Sequence, residues 1–209
     1  MKRLSGVILV CALSFGPAVP RSMSASKWVK LFDGKDLTGW HKNGTETWTV
    51  QDGAIMGEST TNKYGYLTTE KTYKDFDLRL KFKSLALGNS GVFIRSHITG
   101  IDPEHGPDIE GMQVEVDPSV GKHTAGLYES GGRGWVVQPT AEGEKALKPG
   151  EWNELKVSAH GNHIITWLNG VQIVDYTDPA PKFTEGVIGL QMHTGGGVKM
   201  LFKDIEIQE

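Results

Sequence analysis

The sequence predicts an all-β domain, a sandwich or barrel of short antiparallel strands. Three observations predict it. Glycine is abundant, at 27 of 209 residues, with no G-X-Y period, and such an excess implies many tight turns. Two stretches of apolar residues fold back on themselves around two-residue turns. Beyond residue 26, no window of 11 or more residues holds a 3.6-residue hydrophobic period.

Residues 1–25 read as a secretory signal rather than as part of the fold. Met1-Lys2-Arg3 is basic, Leu4 to Val19 is apolar, and Ser22-Met23-Ser24-Ala25-Ser26 supplies small residues at a cleavage site. The apolar run is interrupted by Gly16-Pro17 and falls short of the roughly 20 residues of a spanning helix, so a stable membrane span is the weaker reading. Cleavage near Ala25 removes the lone Cys11. It leaves 19 basic against 25 acidic residues, a net charge of −6. That balance gives no support to nucleic-acid binding, which wants a basic patch. Residues 27–209 then form one domain, since no Pro-, Ser- or Gly-rich linker divides them.

Along that domain the strands follow in order. Trp48-Thr49-Val50-Gln51, Asp52-Gly53 and Ala54-Ile55-Met56 form a hairpin. Residues 76–83 alternate apolar and charged, as in a half-buried antiparallel strand. Further strands are expected over 90–97, 111–117, 124–129, 134–138, 152–160, 186–193 and 198–207. Asn169-Gly170 closes a second hairpin between 164–168 and 171–174. The segments from His97 to Glu110 and from Pro139 to Gly150 read as long irregular loops, with room for one helical turn over 141–148.

Three strands carry polar residues on one face. Period 2 puts Gln113, Glu115 and Asp117 together, opposite Met112, Val114 and Val116. This face is either simply solvated or the polar floor of a sugar cleft, where carboxyl groups serve as acid, base or nucleophile. The same spacing groups Phe93, Arg95 and His97, and also Gly189, Gln191 and His193. An Arg binds a substrate oxygen or holds a carboxylate ionised, and a His exchanges protons near neutral pH, although a lone His is more often structural. Tyr128 and Trp135 are candidate sugar platforms. Gly131-Gly132-Arg133-Gly134 lacks the Lys-Ser/Thr and the helix of a phosphate loop. No cofactor is expected. His97, Asp102, Glu104, His105 and Asp108 share one segment, but their spacing fits no metal-ligand pattern, so a divalent metal has no support.

Several motifs together resemble the 3-keto-disaccharide hydrolase domain family. They are Leu31-Phe32-Asp33-Gly34-Lys35-Asp36-Leu37-Thr38-Gly39-Trp40, Gly88-Asn89-Ser90-Gly91-Val92-Phe93-Ile94-Arg95, Lys148-Pro149-Gly150-Glu151-Trp152-Asn153, Leu168-Asn169-Gly170 and Ile188-Gly189-Leu190-Gln191-Met192-His193, in the family's order. The resemblance implies a concanavalin A-like jelly-roll sandwich of two antiparallel sheets with a concave ligand face. It also implies an exported bacterial enzyme that cleaves glycosides oxidised to a ketone at C3. The family's Glu-x-Gln is reversed here, as Gln113-Val114-Glu115, Thr194 follows His193 where Gly is usual, and Lys203 stands where the family has Arg. On this reading Glu115, Arg95 and His193 are catalytic: acid or base, oxyanion anchor and partner acid. Gln113, Asp117, Tyr128, Trp135, Gln191, His97 and Lys203 bind substrate. Two other functions compete. One is a non-catalytic carbohydrate-binding domain on the same fold. The other is a retaining glucanase, which wants Glu-x-Asp-x-Glu and meets an amide at Gln113 instead.

Overall fold

The computed structural model describes residues 27–209, so residues 1–25, where a secretory signal is expected, lie outside the described residues. The strands, in chain order, are β1 (Val29–Lys30), β2 (Trp40–Asn43), β3 (Thr47–Gln51), β4 (Ala54–Glu58), β5 (Gly65–Thr69), β6 (Phe76–Ser84), β7 (Ser90–Asp102), β8 (Gly106–Val116), β9 (Leu127–Ser130), β10 (Gly134–Val137), β11 (Asn153–His160), β12 (His163–Leu168), β13 (Val171–Thr177), β14 (Val187–Met192) and β15 (Lys199–Gln208). They form two antiparallel sheets. The first runs β13-β12-β11-β6-β15-β4-β3, with β1 added on β15. The second runs β10-β9-β8-β7-β14-β5-β2. This is the sandwich that the strand pattern predicts, with the jelly-roll architecture that the family resemblance implies.

The expected turns carry the backbone they require. Asp52 and Gly53 have φ of 48° and 74°, and Asn169 and Gly170 have 51° and 83°. Two successive positive φ values give a turn whose twist matches its strands. In β6, Phe76, Leu78, Leu80 and Phe82 point inward and are at most 1% exposed. They meet Trp48, Ile55 and Phe202 from their own sheet and Leu67, Val92, Ile94, Val114 and Val116 from the other. Burying each large apolar side chain contributes about 1.5–3 kcal/mol, so this layer is the main stabilising element.

Two expectations need correction. The segment from His97 to Glu110 is not an irregular loop. β7 and β8 continue as one long hairpin as far as the Asp102–Gly106 pair. Its Gly, Pro and Asp residues look like loop chemistry, but the ladder pairing runs on through them, and Ile109 is buried with Tyr66 and Phe93. The sequence also gave no sign of β1, β2 and β5. All five residues of β5 are buried, so its two faces do not alternate. The single turn expected over 141–148 is present as a 3₁₀ helix, Gly143–Ala146.

The β9–β10 hairpin is tied to the first sheet by charge. Arg133 donates to both oxygens of Asp178 at 2.9 and 2.6 Å and to Glu129 Oε2 at 2.6 Å. Asp178 is 1% exposed, and its bonds to Arg133 hold its carboxyl below the usual carboxylate value of 3.8. A depressed carboxyl contributes stability above its unfolded pKa that is lost as pH falls through the folded value. The wild type should therefore lose thermal stability below about pH 4 through this pair. Asp178→Asn should be less stable than wild type at pH 7 and show a smaller drop on acidification, as measured by melting temperature against pH.

Candidate active site

A cleft of about 440 Å³ opens on the outer face of the second sheet. Its floor comes from the central strands β8, β7 and β14, and its side wall from β9 and β10. In β8, Val114 and Val116 enter the core while Gln113 and Glu115 face the cleft, both buried. Glu115 pairs across the ladder with Gly91, which in turn pairs with Gln191. Gly91 is required there. A Cβ at that position would come within 2.6 Å of the Gln113 amide, which needs the space.

Both Glu115 oxygens are engaged. Gln113 Nε2 donates to Oε2 at 2.8 Å, and Asn89 Nδ2 donates to Oε1. Amide donors favour the ionised carboxylate, but desolvation opposes them and dominates, and the nearby Asp117 adds repulsion. Burial pushes the Glu115 carboxyl up to about 8, so it carries its proton at neutral pH. The Gln191 side chain hydrogen-bonds Tyr66, whose phenol burial raises well above its ordinary value and so keeps as a neutral donor. His193 stands at the same cleft. Its Nε2 lies 3.3 Å from the Tyr64 hydroxyl, and its Nδ1 lies 3.2 Å from Thr194 Oγ1. The floor continues into an apolar patch of Tyr66, Phe93 and Ile109. Opposite, Tyr128 and Trp135 pair across β9 and β10, with rings 5.4 Å apart at 80°, and Trp135 is 39% exposed.

The structure therefore brings together Gln113, Glu115, Tyr128, Trp135, Gln191 and His193. Four predicted residues fall elsewhere. Arg95 does not reach the cleft. A β-bulge interrupts the β7–β8 ladder between Ile94 and His97, and Arg95 takes a φ of 48° within it. The extra residue breaks the period-2 phase that grouped Arg95 and His97 with Phe93. The Arg95 guanidinium instead donates to the carbonyls of Lys74, Gly161 and Ala159 at 2.6, 2.6 and 2.9 Å, and to Asp75 at 3.2 Å. His97 packs at 4.5 Å on Phe183, away from the cleft, with its Nε2 2.9 Å from the Glu185 carbonyl. Asp117 lies past the end of β8, where it accepts from the Ser119 amide and acts on Glu115 only through space. Lys203 is on β15 of the other sheet, its ammonium 4.2 Å from the Trp152 ring centroid.

Sequence reasoning missed Asn89, Tyr64 and Tyr66. Asn89 sits in a Gly-Asn-Ser-Gly run that reads as a turn, although it immediately precedes the strand opposite Glu115. Tyr64 and Tyr66 flank Gly65 at a two-residue spacing, the one available sign that they share a face.

The 3-keto-alpha-glucoside-1,2-lyase-like domain model matches residues 27–208. The chain belongs to that family. A curated relative, a 3-keto-disaccharide hydrolase of Bacteroides thetaiotaomicron, is 24% identical over 241 residues, covering 89% of this chain and 79% of that protein. Among solved structures, a protein from Parabacteroides distasonis described as a candidate glycosyl hydrolase superposes with a TM-score of 0.63 at 22% identity, covering 87% of this chain and 93% of that one. The carbohydrate binding module CBM66 from Bacillus subtilis superposes with a TM-score of 0.55 at 19% identity, covering 82% and 96%. These two likenesses concern the fold. Membership of the 3-keto-alpha-glucoside-1,2-lyase-like family supports a glycoside-hydrolase type of function.

Proposed function

We propose that this protein cleaves glycosides already oxidised to a ketone at C3, with Glu115 as the general acid. The observation that carries this reading is a buried carboxyl at the floor of a cleft, flanked by the Gln113 and Asn89 amides, with a histidine at the same cleft. A C3 ketone acidifies the hydrogen on C2. His193 takes that proton, and the electron pair delocalises onto the C3 oxygen, where the neutral Tyr66 hydroxyl donates. As the C3 carbonyl re-forms, a C1–C2 double bond is made and the C1–O bond breaks. The leaving oxygen takes its proton from Glu115. Water then adds at C1, returning a proton to Glu115, and His193 gives its proton back to C2. The net reaction is hydrolysis. Aromatic side chains in binding pockets pack on ligand faces, and Trp135 and Tyr128, which line the cleft, take that part in this reading. The basic start and apolar run within residues 1–25, read as a secretory leader, support an exported enzyme, periplasmic or extracellular.

The test is turnover of 3-keto-trehalose against plain trehalose by purified protein. Release of glucose and 3-keto-glucose from the oxidised sugar alone is expected. Glycan binding without turnover of either sugar would instead support a carbohydrate-binding domain, and cleavage of the unoxidised sugar would point to direct hydrolysis.

Asn89 supplies a second check. Its amide favours the ionised form of Glu115, so Asn89→Ala should raise the Glu115 pKa further. The alkaline limb of kcat should then move to higher pH than in wild type. A limb that stays in place, or moves to lower pH, would separate Asn89 from the titrating group.

A further inference from the structure

The aromatic wall of the cleft is supported from behind by a carboxylate outside it. Glu144, on the 3₁₀ helix Gly143–Ala146, is buried. Its Oε2 accepts the Gly121 amide at 2.7 Å, and its Oε1 accepts the His123 amide at 3.0 Å and lies 2.9 Å from His123 Nδ1. These contacts fix a loop whose His123 and Ala125 both have a φ of 69°, a conformation that side-chain-bearing residues seldom adopt unless held. The His123 ring then meets Trp135 edge-on, with centroids 4.9 Å apart at 83°. Trp135 belongs to β10, an edge strand that pairs only with β9. Its indole has ladder support on one side, Tyr128 beside it and His123 behind it.

We infer that Glu144 is a positioning residue that sets the Trp135 face through His123, and so governs binding of the ring, sugar or aglycone, that packs on the wall. Neither Glu144 nor His123 lines the cleft, and the loop meets Glu115 only through the main chain, where the Ala125 amide donates to the Glu115 carbonyl at 2.8 Å and the Gly126 carbonyl accepts the Glu115 amide at 3.0 Å. The Glu115 carboxyl keeps its own partners, Gln113 and Asn89, so the expected effect is on binding first. The inference rests on the cleft reading above and deepens it by assigning the aromatic wall a side-chain support distinct from the amides that hold the Glu115 carboxyl.

The experiment compares wild type, Glu144→Gln, Glu144→Ala and His123→Ala. It measures KM and kcat on 3-keto-trehalose, together with the emission of Trp135, isolated in each background by subtracting the matching Trp135→Phe protein. Glu144→Ala should raise KM about tenfold, the scale of one lost aromatic contact, and leave kcat within about twofold. Glu144→Gln keeps one acceptor oxygen and should fall between. Trp135 emission should shift in the order of the KM values. An unchanged KM, an unchanged Trp135 emission, or a loss confined to kcat overturns the inference. If Glu144→Ala does not fold, His123→Ala, which removes only the ring behind Trp135, carries the same readouts. If the wild type turns over no 3-keto-glycoside, the proposed reaction fails on its own account. Trp135 emission still decides this inference, which an unshifted signal overturns and a shifted one supports.

Discussion

Glu115→Gln should lower kcat on a 3-keto-glycoside by about 10²–10⁴-fold, the usual contribution of a positioned general acid, while the protein stays folded. The pH dependence of the wild type carries the same information with a fixed sign. The acid acts in its protonated form, so activity is present below about pH 8 and falls as pH rises through that value. Stability should move in the same direction. The unfolded chain releases this proton from about pH 4.5 upward, whereas the folded protein keeps it to about 8. The fold therefore loses stability as pH rises across that interval. Glu115→Gln should remove both the alkaline limb and this portion of the stability slope. A glutamine variant that turns over at the wild-type rate would remove Glu115 from the reaction, whatever its stability.

Arg95→Ala should destabilise the protein by about 2–4 kcal/mol, because it opens a buried hole and leaves the Ala159 carbonyl without a partner in the interior, while the Lys74 and Gly161 carbonyls lose a partner nearer the surface. At temperatures where the variant remains folded, kcat should lie within about twofold of wild type. Arg95→Lys should recover little, since one ammonium cannot reproduce a guanidinium fork spread over the Lys74, Ala159 and Gly161 carbonyls. Urea unfolding and kcat measured on the same preparations separate the two roles. A variant with unchanged stability and lost turnover would return Arg95 to the chemistry.

The contrast between Glu115 and Arg95 shows what the sequence carries. Strand existence, hairpin turns and the inward face of β6 were legible because alternation and Asn-Gly or Asp-Gly turns are local signals. The same local rule correctly put Gln113 and Glu115 on the cleft face of β8. It failed at Arg95, midway along the partner strand, because a bulge adds a residue without changing the sequence pattern. What fixes that bulge is distant. Gly111 and Gly186 leave room for the Arg95–Ser96 backbone and side chains, since a Cβ on either would come within 2.5 Å of them. Asn89 and the tyrosines were hidden for a related reason. Their roles exist only once β5, β7 and β14 are side by side, and nothing in their immediate neighbours announces that arrangement. The neutral state of Glu115 was equally beyond reach, since it depends on how much water the assembled sheet excludes.

The placement of floor and wall in the sheet bears on how such an enzyme can change. Glu115 stands on a strand flanked by β7 and β9, and a glycine opposite it is reserved for a neighbour's amide. Most substitutions there disturb several partners at once. Trp135 rides on a strand with a single neighbour, steadied by a short loop and one helical turn. Replacements of side chains in that loop that keep its main-chain bonds to Glu115 can reshape which leaving groups are accepted. Selection for a new glycoside therefore has a permissive region to work on, one strand away from a region that tolerates almost nothing.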